Sequence, residues 1–380
     1  ARWSRAIRTR SSASAMSGLS RAPWGRKIPT GFWWRPTGDI VRGRGAAIGF
    51  VLTLAACPVP AETTHTLLNF DDLVGWEDDD HAAALEVFRA TCPDLTDPDW
   101  AALCAVAETA PDARTFFELF FRPVLVGGDD PALFTGYFEP ELEGSLTPTA
   151  RYRYPLYHLP EDPELRRLTR REIDAEGALE GRGLEMVWVD DPVELFFLHI
   201  QGSGRIRLPD GRVMRVGYAG RNGHVYRSIG QELVRRGIYE PHQVSARVIQ
   251  SWVRRNPVSG AELLNHNPSY IFFRRVQIAD PDLGPLGAMN RSITPLRTVA
   301  VDPGYTPLGA PVWIEKAGRE PMHRLMIAQD TGGAIRGPQR ADIFFGFGDD
   351  AGRAAGEIRD PGRMIVLLPI EQAHRSVPDA

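Results

Sequence analysis

Lysine is nearly missing from this 380-residue chain: Lys27 and Lys316 are the only two, and the other 42 basic residues are arginine. So uniform a bias is compositional, and no function is read into single arginines. Cysteine is scarce as well. Cys57, Cys92 and Cys104 are too few for a disulfide-built scaffold and have no His or Cys neighbours at zinc-site spacing. The nine histidines are scattered and form no H-E-x-x-H. No G-x-G-x-x-G or Walker-type loop joins a strand to a helix, so nothing marks a nucleotide cradle. Ser203 lies in Gln201-Gly202-Ser203-Gly204, which is not G-x-S-x-G and lacks the nucleophile-elbow context. The run Ala46–Ala56, eleven residues, is too short to span a bilayer. Nothing calls for a metal or organic cofactor.

What the chain does hold is ample apolar material: 43% hydrophobic residues over this length build one large domain or two ordinary ones. Residues 1–45 carry ten Arg or Lys and one acid, Asp39, so the net charge of −4 conceals a body of −13. An acidic body argues against nucleic acid as a partner. The basic front runs through Arg42 and Arg44 into Ala46–Ala56 and then Cys57, the order of an export signal. Leu54-Ala55-Ala56-Cys57 also resembles a bacterial lipobox. Cleavage there leaves Cys57 as a lipid-bearing amino terminus, and the expectation is a periplasmic protein anchored to the outer membrane. A plain secretory signal cut nearby is the alternative.

Residues 81–91 read as a helix, and Asp97 with Pro98 starts a second that contains Cys104. A short connection makes them antiparallel neighbours, which predicts a Cys92–Cys104 disulfide in an exported chain; two buried thiols are the alternative. A third helix, 112–122, ends at Pro123. Residues 124–126 and 133–138 read as strands, the second running into Tyr137-Phe138-Glu139-Pro140. An aromatic beside a carboxylate suits a sugar, and a strand edge leaving through Pro140 is an equal reading. Residues 194–200 predict a buried strand, and Pro209-Asp210-Gly211 a hairpin turn between strands at 205–208 and 212–216. The stretch 217–226 is dense in glycine and polar rings, so its backbone comes close to something. Its His224 is a candidate contact or a structural hydrogen bond. Helices are expected at 226–236 and 241–255, with Ser259 and Glu262 spaced as the capping box of a third. From Tyr270 onward, short strands between Gly/Pro turns suggest a small closed barrel.

The remaining chemistry rests on acids. Asp302 precedes Pro303-Gly304 and reads first as a turn residue; Asp330 precedes Thr331-Gly332-Gly333 and equally orders that loop. Asp342 differs, because Ala341 and Ile343 flank it and leave it little solvation. A carboxyl kept protonated near neutral pH is what glycosidic cleavage uses as its general acid.

Residues 137–140, 201–204, 218–230, 267–270 and 330–346 together resemble the membrane-bound lytic transglycosylase A family, five motifs in the family's order. The resemblance implies a mainly β fold with peripheral helices: a double-psi β-barrel with a three-aspartate (3D) module, an inserted second, mainly β domain, and a substrate groove between them. It divides the chain into a leader at 1–57, the first part of the barrel domain at 58–144, the insert at 145–257 and the rest of the barrel at 258–380. It implies peptidoglycan glycan strands as partner. The bond cleaved is the β-1,4 link between N-acetylmuramic acid and N-acetylglucosamine, without water and with a 1,6-anhydro end. By motif, Asp342 is the single catalytic acid and Asp330 and Asp302 its supports. Tyr137, Gln201, Ser203, His224 and Tyr226 are the candidates for holding sugars. The loop between Asp330 and Asp342 is one residue longer than the family pattern. An inverting hydrolase and a non-catalytic peptidoglycan-binding lipoprotein are the alternatives.

Overall fold

The computed structural model describes residues 63–127, 131–278 and 280–377, so the leader and the lipidation candidate Cys57 lie outside the described residues. A short strand, β1 (His65–Leu67), is followed by three helices, α1 (His81–Thr91), α2 (Pro98–Ala107) and α3 (Ala113–Phe120). Each starts on an aspartate whose side chain accepts a backbone N–H: Asp80 from Ala83, Asp97 from Asp99 and Asp112 from Thr115. Cys92, just past α1, is disulfide-bonded to Cys104 of α2, with the Cα atoms 5.5 Å apart.

Strands β2 (Phe121–Val126) and β3 (Ala132–Glu139) come next. Five more barrel-side strands follow late in the chain: β10 (Thr298–Val301), β11 (Pro311–Lys316), β12 (Met322–Thr331), β13 (Arg340–Phe347) and β14 (Arg359–Pro369). The hydrogen-bonded order is β14-β11-β12-β10-β13-β3, and β3 pairs back onto β14, so six strands close a barrel. The β3–β13 and β10–β12 pairs are parallel. Side chains alternate with the pleat. Val312, Ile314, Met326, Ala328, Ala341 and Ile343 share the barrel core, while Trp313, Leu325 and Ile327 pack outward under α1–α3. Each buried Val, Leu, Ile or Met among them contributes about 1.5–3 kcal/mol. Asp342, between two core residues, is thereby turned to the outer face, and a one-residue slip of β13 would drive it into the core.

A second sheet is built between β3 and β10 from β4 (Glu141–Ser145), β5 (Tyr154–Tyr157), β6 (Glu185–Val189), β7 (Ser203–Arg207), β8 (Val213–Arg221) and β9 (Ile271–Val276), in the order β5-β6-β4-β7-β8-β9. It reaches beyond 145–257 at both ends. The reason is local: β4 follows β3 after Pro140 alone, and β9 completes the sheet along β8.

Between β5 and β6 lies one turn of helix, α4 (Pro163–Arg166). After β6 comes α5 (Pro192–Gln201), where a buried strand was expected over 194–200. Asp191 accepts from Val193 and Glu194, Pro192 opens the helix, and Gly202 ends it at φ 81°. Its apolar residues run all round because the helix is covered on two sides. Leu195 and Leu198 join the sheet core, and Val193 and Phe196 join the cluster of α6 (Ile229–Arg235), α7 (Ala246–Arg255) and α8 (Pro257–Leu264). Such a run looks the same in sequence as a buried strand. The helix expected over 241–255 starts only at Ala246, because Ser245 accepts from Val248 and fixes its first turn. Ser259 is not a cap: Pro257 opens α8 two residues earlier. Peripheral helices α9 (Gly348–Glu357) and α10 (Ile370–Ser376) flank β14 in sequence. No helix among the described residues is long and apolar enough to cross a membrane.

Candidate active site

Asp342 faces Thr135 across the β13–β3 pair and Ala300 across the β13–β10 pair. The Thr135 hydroxyl donates to Asp342 Oδ1 at 2.5 Å and accepts from Arg340 Nη2 at 2.8 Å. Arg340 is itself fixed by donating to the carbonyls of Leu133 and Ala341. Oδ2 of Asp342 has no hydrogen-bond partner among the described residues. Burial raises the Asp342 pKa above the usual carboxylate range, against the opposing hydrogen bond from Thr135 and the charge of Arg340. Burial likewise lowers the pKa of Arg340.

Asp330, at the end of β12, is held quite differently. Oδ1 accepts from the backbone N–H of Ala288 and of Thr331, both at 2.9 Å, and Oδ2 accepts from the Tyr137 hydroxyl at 3.0 Å. Three donors favour its ionised form. Burial works the other way, helped by the charge of Asp342, and the pKa stands at about 6. Tyr137 comes from β3 opposite Phe344, with ring centroids 5.2 Å apart, and burial raises its hydroxyl pKa well above the ordinary value. The alternation of β3 puts Thr135 and Tyr137 on one face, so this barrel wall carries the hydroxyls that reach both aspartates.

Asp302 does not join them. Its Oδ2 accepts from Gly337 N–H at 2.9 Å and its Oδ1 from Gly304 N–H at 3.2 Å, and Gly337's N–H is the main cause of its lowered pKa. It ties the turn after β10 to the 336–340 loop that leads into Asp342.

Gln201, at the end of α5, accepts the Phe138 N–H on its Oε1 at 3.2 Å and so joins the second sheet's side to β3 beside Tyr137. Ser203 opens β7 after the left-handed Gly202. Gly204 is required there, since a Cβ would lie 2.4 Å from Leu198 Cδ1 and 3.1 Å from the Pro140 carbonyl. His224 and Tyr226 sit in the loop between β8 and α6. Nε2 of His224 donates to the Arg167 carbonyl at 2.8 Å, and Tyr226 is 44% exposed. Neither shares a hydrogen bond with the aspartates. The same loop is knotted at buried Asn222, whose side chain bonds Leu168, Pro268, His224 and Tyr270 backbone groups. Glu139 is withdrawn from any ligand: it is fully buried and bonded by Arg205 and Arg215.

Sequence reasoning missed Thr135, Arg340 and Ala288. Strand alternation from Tyr137 was signal enough for Thr135; the loop distance hides Ala288.

The family description "MltA specific insert domain" matches residues 133–274 and "3D domain" matches residues 297–368. Membrane-bound lytic murein transglycosylase A of Vibrio cholerae is 34% identical over 270 residues, 67% of this chain and 71% of that protein. The solved structure of membrane-bound lytic murein transglycosylase from Agrobacterium tumefaciens matches with a TM-score of 0.75 at 34% identity, covering 82% of this chain and 99% of that one. Escherichia coli MltA with bound chitohexaose matches with a TM-score of 0.67 at 29% identity, covering 80% and 94%. A closed barrel and a second sheet, in a chain that matches these relatives, define an enzyme of the lytic transglycosylase class, which cleaves peptidoglycan. The chain belongs to the membrane-bound lytic murein transglycosylase A family.

Proposed function

We propose that the chain cleaves the β-1,4 bond between N-acetylmuramic acid and N-acetylglucosamine by a single carboxyl, Asp342, and releases a 1,6-anhydromuramoyl end. One observation carries this reading: three donors occupy the oxygens of Asp330, while Oδ2 of Asp342 is without a partner among the described residues and burial favours its protonated form. Protonated Asp342 donates to the bridging oxygen and charge develops at the muramoyl C1. The carboxylate then takes the proton from the C6 hydroxyl of the same sugar, whose oxygen bonds to C1. The nucleophile comes from the substrate, so the second carboxylate of a hydrolase is not needed. Asp330 and Asp302 hold the loops around the acid, and Tyr137, Gln201, Ser203, His224 and Tyr226 are assigned to sugar contacts. The relative with bound chitohexaose supports a glycan ligand for this junction.

Digestion of purified sacculi tests it by mass spectrometry. Muropeptides one water lighter than hydrolytic products are expected; reducing ends alone would overturn this reading in favour of a hydrolase.

The site of action on this reading is the periplasm, with Cys57 as the lipid-bearing residue. Cys57→Ala is expected to move the protein from the membrane to the soluble periplasmic fraction, and an unchanged distribution rules out an anchor there.

A further inference from the structure

One of the donors that hold Asp330 comes from outside the barrel strands. Ala288 belongs to a tight hairpin, closed by Gly287 N–H to the Arg291 carbonyl and Asn290 N–H to the Gly287 carbonyl, with Asn290 at φ 55°. Gly287 must be glycine, because a Cβ would lie 2.8 Å from the Gln329 carbonyl and 3.4 Å from Asp330 Cγ. The backbone of this turn therefore presses on the end of β12, where Met289 N–H also reaches the Gln329 carbonyl. Its far end is held from the helical side: Arg291 Nε and Nη2 donate to both carboxylate oxygens of Asp94, at 2.7 and 3.2 Å. Asp94 closes the short turn that begins at disulfide-bonded Cys92. A parallel link runs beside it. Gln329, the residue before Asp330, donates to the hydroxyl of Thr91, which immediately precedes Cys92, at 2.9 Å.

We propose that the Asp94–Arg291 pair, mounted on the disulfide-closed turn, is a positioning element for the reaction: it holds the 287–291 hairpin so that Ala288 N–H stays on Asp330. The inference rests on the proposed role of Asp330 as the ionised support of Asp342. Asp94 and Arg291 are assigned no contact with substrate and act through the hairpin. Their side chains are 33% and 40% exposed, so as a plain surface pair they contribute little to folding. A loss of activity without a loss of stability is thus the expected signature.

The charged and titratable groups that act on Asp330 are Tyr137 of β3 and Asp342 of β13; Arg221 Nη1 of β8 lies 4.0 Å from the place a Cβ of Gly333 would take, three residues along. None of the three substitutions below alters any of them. One limb of the rate profile is assigned to Asp330, which works as the ionised group. Losing the Ala288 N–H removes a donor to the ionised form, so the limb moves to higher pH, by about one unit if one hydrogen bond to a charge is lost.

The test is muropeptide release by the full protein between pH 4 and pH 8 for wild type, Asp94→Ala, Arg291→Ala and Arg291→Lys, each with its thermal midpoint. Asp94→Ala is decisive, because removing an anion would by charge alone move the limb down, whereas a released hairpin moves it up. We expect upward shifts and about a tenfold loss near pH 6 in both alanine variants, with most of the limb position restored in Arg291→Lys. An unmoved or lowered limb in Asp94→Ala overturns the proposal, as does a variant that loses activity only by unfolding. Failure of the proposed function shows separately, in the wild type, as reducing ends or no soluble product.

Discussion

Asp342→Asn is expected to lower muropeptide release by about 10²–10⁴-fold, the scale of general acid–base catalysis, with sacculus binding and fold retained. The amide keeps the size of the carboxyl, and its oxygen still accepts the Thr135 hydroxyl, so the Arg340–Thr135 chain stays in register. What is lost is the proton on Oδ2. In the wild type, rate falls as pH rises through the raised pKa of Asp342, because the acid form disappears. The other limb belongs to Asp330, with a pKa of about 6, because its protonation takes the ionised acceptor away from Tyr137 and the backbone donors. The stability sign follows the same shifts. Both carboxyls have folded pKa values above their unfolded ones, so the stability they contribute is complete below the unfolded pKa and is lost as pH rises through the folded one. At neutral pH the neutral amide at 342 removes that penalty, and Asp342→Asn should melt no lower than wild type. A variant that kept its rate would end the single-acid reading. If variant and wild type bound sacculi alike and neither released product, a binding role would be the better account.

How much of this was legible in sequence differs from element to element, for physical reasons. The barrel strands were readable because each is a short apolar run between Gly/Pro turns. Asp342 stood out because a carboxylate between core residues of a strand has nowhere wet to go. The helix α5 was misread because a helix packed on two sides has no polar face, and Asp191-Pro192 and Gly202 were its only helical signs. Asp330 and Asp302 read as loop residues, and their hydrogen bonds are those of loop residues; the raised pKa of Asp330 comes from burial by strands distant in sequence. Ala288 was invisible for the same reason: a backbone N–H has no residue-type signature. Glu139 was read with Tyr137 because they are two residues apart. The chain turns at Pro140 between them and the second sheet, and that turn sends the carboxylate inward.

Glu139→Ala is expected to destabilise the protein by about 3–5 kcal/mol, the cost of breaking a buried ion pair and leaving its partner charged. The Glu139 side chain is 1% exposed, and the guanidiniums of Arg205 and Arg215 that grip it are 7% and 8% exposed. Arg205 Nε and Arg215 Nη2 each donate to Oε2 at 2.8 Å, and Arg215 also reaches Oε1 at 3.0 Å. Nη1 and Nη2 of Arg205 and Nη1 of Arg215 donate to the carbonyls of Pro281 and Leu283, Arg215 Nε is left without a partner among the described residues, and Arg205 lies 3.6 Å from the centroid of the Phe347 ring. The network therefore joins the ends of β3 and β13 to β7 and β8. Both barrel strands that carry the acid and its hydroxyl partner are fixed to the second sheet at this point. With the carboxylate gone, two cations are left facing each other in a dry junction, and relief comes only by separating the sheets. Chemical denaturation should show the loss as a lower midpoint, and muropeptide release should fall even where the protein is still folded, because Thr135 and Asp342 lie on the same two paired strands whose far ends are released. Glu139→Gln keeps the shape and some hydrogen bonds but not the charge, and belongs between alanine and wild type. A denaturation midpoint unchanged in Glu139→Ala would mean that water enters and solvates the arginines freely, and the junction would then owe its order to its other links, the Gln201–Phe138 hydrogen bond and the direct run of β3 into β4.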